Sequence, residues 1–173
     1  MAFATSSSKG TTAGGVMYTF NFKVLEGIGD GTTLKVTIPE MCSNDGVTNF
    51  DKFVKQQVEK YGCDLFVLGY GMNDGGMAAT QTKANTKKMI DSMFEIKPEA
   101  AVMIVSTMTP HSGSNWDFDS IKQQERQLES LAKQLRKDDK AVAVACVHSV
   151  SKAIQEHKTF NDYAGNNINH PND

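Results

Sequence analysis

The sequence lacks a basic excess, a CxxC pair and any long apolar run. Lys and Arg number 18 against 20 Asp and Glu, a net charge of -2, so the surface has no positive field to gather phosphate backbones. Nucleic acid is not an expected partner. The three cysteines, Cys42, Cys63 and Cys146, stand far apart, which argues against both a zinc site of ordinary Cys spacing and a disulfide framework. Cys63 and Cys146 border or sit within apolar runs and read as small core residues. No apolar run approaches the roughly 20 residues that span a bilayer, and the opening MAFATSSSKG lacks the basic-then-apolar order of a signal peptide. The compartment stays open. His111, His148 and His157 show no metal-ligand spacing and read as surface or loop residues. Tryptophan occurs once, as Trp116, in a loop where it is either a sugar or acyl platform or a core anchor.

What is present is an ordinary apolar fraction of 39% in 173 residues, enough for one domain with a sizeable core. Residues 1 to 19, rich in Ser, Thr and Gly, read as a flexible tail. Strands are expected over Tyr18 to Leu25 and Leu34 to Ile38, with a glycine loop between them. Thr48 or Asn49 can cap a helix whose Phe50, Phe53, Val54, Val58 and Tyr61 share a face. Met89, Ile90, Met93 and Phe94 mark a second helix, which stops before Pro98. Ala101 to Val105 follows as a strand. Asp117 or Asp119 caps a long helix with Ile121, Leu128, Leu131 and Leu135 inward, and Ala141 to Val147 is a further strand. The polar stretch Asn161 to Asp173 reads as loop. Strands alternating with amphipathic helices imply a single α/β domain over residues 1 to 173 with a mainly parallel sheet flanked by helices. The loops near Ser6, Gly27, Gly69, Thr107 and His148 would share the edge where such sheets keep their chemistry.

Chemistry concentrates in Asp64 to Gly76, DLFVLGYGMNDGG. Leu65 to Leu68 suit a short strand buried on both faces. The glycines after it permit a sharp turn or a close approach around Asn73 and Asp74. Asn73 is the expected functional residue, and Asp74 the residue that shapes the loop.

Gly71-Met72-Asn73-Asp74 resembles the GxND block of the SGNH, or GDSL-like, esterases and lipases. His170-Pro171-Asn172-Asp173 resembles the catalytic-histidine block of that family, with Asn167 where its Asp usually stands. Phe3 to Gly10 can be laid on the first block, with Ser6 as the nucleophile or Ser7 as the fallback, and with Ala4 and Thr5 replacing Gly and Asp. The Gly27 to Thr33 loop resembles the second block, where Asp30 occupies the expected glycine and Gly29 or Gly31 takes its role after a one-residue shift. The resemblance implies a flavodoxin-like three-layer fold and a serine ester hydrolase. His170 would take the proton of Ser6, oriented by Asn167, a backbone carbonyl, Asp162 or Asp173. The Ser6 amide, a Gly29 or Gly31 amide and the Asn73 NH2 would meet the oxyanion.

Such a mechanism uses side chains and water, so no cofactor or metal is expected. Short polar loops with no apolar lid favour acetyl esters of carbohydrates. A lipase or thioesterase on short acyl chains, and a catalytically inactive module of the same fold, are the alternatives. The chain stops where the family continues into a C-terminal helix, so truncation would expose an apolar face and favour self-association.

Overall fold

A computed structural model describes residues 3–12, 15–23, 33–39, 42–74, 76–111, 117–159 and 162. It divides into two compact units, Met1–Met41 and Cys42–Asp173.

In the first unit, strands β1 (Phe3–Thr12), β2 (Gly15–Lys23) and β3 (Thr33–Pro39) form an antiparallel sheet in that order. Only residues 13 and 14 separate β1 from β2. A connection that short makes a hairpin, because a parallel pairing needs a crossover of a dozen or more residues. Pairing runs from Phe3 opposite Lys23 to Thr12 opposite Gly15, with an irregularity between Ala4 and Ser6. Two expectations are corrected here. The Ser- and Thr-rich residues read as a flexible tail are largely strand, because β2 supplies a ladder of backbone partners. The mainly parallel sheet begins only at Leu65.

In the second unit, β4 (Leu65–Leu68), β5 (Ala101–Val105) and β6 (Val142–Ala145) pair in parallel in sequence order. Helix α3 (Ala79–Ile96) connects the first pair and α4 (Phe118–Lys137) the second. Two crossovers of one hand that step in one direction put their helices on the same face. The core follows from this. Leu68, Val102, Ile104 and Val142 from the sheet pack with Met89, Ile90 and Met93 of α3 and with Leu128, Leu131 and Leu135 of α4. Asp117 caps α4 by accepting from the amides of Asp119 and Ser120, as one of the two expected caps.

The opposite face of the sheet departs from the both-faces-buried reading of β4. Leu65 and Val67 are 53% and 59% exposed, and Met103 is exposed beside them. Val67 pairs with Met103 and Met103 with Ala143, so these side chains form one strip. Among the described residues, the second helix layer of the three-layer expectation is not seen, and the strand order contains no reversal that would place one there.

Three further corrections concern helices. Helix α1 (Ser43–Phe50) has its N-cap at Cys42, six residues before Thr48, since Asp45 accepts from the Cys42 amide and thiol. It continues through a π-turn (Asp51–Lys55) into α2 (Gln56–Tyr61), with Phe50 and Val58 buried. Where the strand was expected to run to Val147 and a loop to begin near His148, the chain is helix α5 (Val147–Gln155). Its apolar Val150 and Ile154 point outward while His148 and Ser151 are buried, so hydrophobic periodicity alone would have oriented it backwards.

Candidate active site

The loop after β4 carries Asn73 to the carboxyl edge of the parallel sheet, and one carboxylate fixes it there. Asp74 is 1% exposed. Its Oδ1 accepts from the Ser43 amide at 2.7 Å, and its Oδ2 accepts from the Thr82 hydroxyl at 3.0 Å. The first contact sets a negative charge against the first turn of α1, where unsatisfied amides and the helix dipole favour one. Asn85 of α3 extends the network by donating to Ser43 Oγ at 2.9 Å and Asn44 Oδ1 at 2.7 Å. Asp74 thus shapes the loop, as its sequence context implied. Ser43, Thr82 and Asn85 went unrecognised in the sequence because only the tertiary fold brings them to Asp74.

Close approach explains two glycines. Gly71 has φ +128, and a Cβ there would stand 2.6 Å from Thr107 Oγ1 and 2.8 Å from Gln124 Oε1, both of which follow β5. A Cβ at Gly46 would lie 2.6 Å from the Tyr70 ring and hydroxyl, so α1 sits directly on the residue that opens the loop. Burial, with the negative charges of Asp45 and Asp74 adding to it, pushes the Tyr70 phenol above its usual range. Between these anchors Asn73 is exposed and makes no hydrogen bond among the described residues. Its NH2 is therefore free to donate to a bound group.

A second buried carboxylate organises the neighbouring part of the edge. Glu125 of α4, 3% exposed, accepts from Ser106 Oγ at 2.5 Å and from the amides of His148 and Ser149 at 3.0 and 3.2 Å. It also accepts from the Ser149 hydroxyl. It caps α5 as Asp74 caps α1. Ser106 gives its proton to Glu125 and accepts from the Val147 amide at 2.8 Å, so this buried serine is a strut and not a nucleophile. His148, expected as a surface or loop residue, lies in α5 and is 4% exposed with Nδ1 2.9 Å from Thr109 Oγ1. Burial lowers its pKa, and Lys152 and Lys122 add to that against an opposing effect of Glu125. Cys63 and Cys146 are half-buried and free, short of the core placement expected for them.

Of the sequence-predicted site residues, Asn73 and the alternative orienter Asp162 lie in the described part of the larger unit, and Asp162 accepts from the Thr159 amide at 2.8 Å and its hydroxyl at 2.7 Å. Ser6 lies within β1, opposite Asn21, and not in a loop after a parallel strand. Gly29, Gly31, Asn167 and His170 lie outside the described residues, as does Trp116. Among the described residues no cluster of three metal-ligating side chains occurs, and no helix is long and apolar enough to cross a membrane.

No protein-family model and no curated protein sequence matches the chain. Among solved structures, a Clostridium thermocellum family 3 carbohydrate esterase matches with a TM-score of 0.53 at 15% identity, over 77% of this chain and 58% of that one. What the two share is the fold. The mixed α/β architecture with a three-stranded parallel sheet is consistent with an SGNH-like fold, and the chain spans 58% of the neighbour's length.

Proposed function

We propose that this chain is an SGNH-type serine ester hydrolase acting on short acyl esters, with acetylated carbohydrate as the substrate class. The observation that carries this reading is Asn73. It is an unengaged amide donor at the carboxyl edge of a parallel sheet, on a loop pinned by Asp74 to Ser43 and Thr82, in a fold shared with a carbohydrate esterase. In the proposed mechanism Ser6 Oγ attacks the ester carbonyl carbon, and its proton passes to His170. The Asn73 NH2, the Ser6 amide and a Gly29 or Gly31 amide donate to the oxyanion as it forms. The proton on His170 then goes to the leaving alcohol, and water repeats the cycle on the acyl-enzyme. Asn167 orients His170 by hydrogen bonding without contributing charge, which makes the catalytic unit a Ser-His dyad.

One observation favours the inactive-module alternative, namely the position of Ser6 inside an antiparallel strand. Hydrolysis of a short-chain acetyl ester separates the two. The hydrolase reading predicts turnover that Ser6→Ala and His170→Ala abolish and that Asn73→Ala lowers about 100- to 1,000-fold in kcat. Turnover equal in the parent and in all three variants would rule it out.

A further inference from the structure

Helices α4 and α5 follow adjacent parallel strands and are joined by Glu125, and between them runs a groove of about 290 Å³. This is near the lower end of small-molecule sites, the size of a single sugar ring. Four features of its walls point to one kind of ligand. First, His148 lines the groove while nearly buried, and its Nε2 has no partner among the described residues. A ring nitrogen at such a position gains from a hydrogen-bonding partner. Second, Lys122, Arg126 and Lys152 reach the same groove, and none has an ion-pair partner among the described residues. Third, three carboxylates, Glu125, Glu129 and Glu156, share the lining with these three cations. The described lining is balanced in charge, so an anionic or cationic ligand would leave one sign in excess. Fourth, among the described residues Ala153 is the one apolar residue in the lining, so most of the lining side chains offer a ligand polar groups.

We propose that the α4–α5 groove binds a neutral polyhydroxylated ligand, a monosaccharide unit, with one hydroxyl on His148 Nε2 and others between the lysine, arginine and glutamate side chains. A hydroxyl both donates and accepts, which suits a wall of alternating cations and carboxylates. It also suits either tautomer of His148. The Thr109 hydroxyl lies 2.9 Å from both the His148 carbonyl oxygen and Nδ1 and has one proton to give. Giving it to the carbonyl leaves Nε2 an acceptor, and giving it to Nδ1 leaves Nε2 a donor. Among the described residues, those that line the groove include none assigned to ester hydrolysis, and the proposal uses no step of that reaction.

The test is amide and imidazole NMR of the full chain titrated with glucose, gluconate and glucosamine, three compounds of similar size and different charge. The proposal predicts saturable shifts at His148, Ser149 and Lys152, with glucose bound more tightly than either charged compound. Arg126→Ala and, separately, Ala153→Trp, which fills the groove from an exposed helix position, should each weaken glucose binding at least about tenfold. The absence of shifts with glucose, a preference for gluconate or glucosamine, or glucose binding unaffected by both variants would overturn it.

Discussion

Replacing Asp74 with alanine would leave the Ser43 amide and the Thr82 hydroxyl without their acceptor in a buried setting. Each stranded donor costs about 1–3 kcal/mol, so Asp74→Ala is expected to lose about 2–6 kcal/mol in urea unfolding and to free the Asn73 loop. Asp74→Asn keeps one acceptor oxygen and should lose less. An equal loss in the two variants would contradict the hydrogen-bonding account. Cys146 makes a separate case. Burial, a hydrogen bond to Glu129 and the nearby charges of Glu125 and Glu129 push its thiol up to about 11. Because the thiolate is the reactive form, iodoacetamide at pH about 8 should modify Cys146 roughly a hundredfold more slowly than an unperturbed cysteine. Glu129→Gln should speed that reaction, and an unchanged rate would remove Glu129 as a cause.

Helix α5 shows how an element can depend on one buried acid and one buried base. Glu125 joins Ser106 to the first turn of α5, and His148 joins that turn to Thr109. The folded pKa of His148 lies below its ordinary 6.5, so the unfolded chain binds more protons as pH falls through that window. His148 therefore contributes stability that is fully present above pH 6.5 and is lost as pH falls toward its folded pKa. Thermal midpoints measured from pH about 7 to about 5 should decline, and His148→Gln should flatten the His148 part of that decline. A parallel decline in both proteins would assign it to other groups. Helix α5 also marks the limit of what was legible in the sequence. Helices α3 and α4 and strands β4 and β5 were readable because their apolar residues repeat at core spacing and Asp117 caps where a cap belongs. In α5 the inward residues are His148 and Ser151, buried only because Glu125 and Thr109 from elsewhere in the fold supply partners. The same holds at the candidate site. Asn73 and Asp74 stood out by their glycine setting, whereas Ser43 and Asn85 are ordinary polar residues until the fold brings them to the loop.

At the scale of the whole molecule, the larger unit covers one face of its sheet with helices and leaves Leu65, Val67 and Met103 on the other. Exposed apolar strips of this kind favour association and aggregation. Val67→Lys is expected to change stability by less than about 0.5 kcal/mol, because Val67 is already largely exposed, while raising the protein concentration at which light scattering appears. A large loss of stability would show that Val67 is covered in solution. The hydrolase reading also belongs to this scale, because it requires Ser6, Asn73 and His170, drawn from distant parts of the sequence, to act on one ester. The most direct measurement is fluorophosphonate labelling of the folded protein followed by mass spectrometry of the modified peptide, since the probe reacts only with a serine activated by a base. The account predicts an adduct on Ser6 that is absent in His170→Ala. A folded protein that takes no adduct, or that carries one elsewhere and keeps it in His170→Ala, would contradict it.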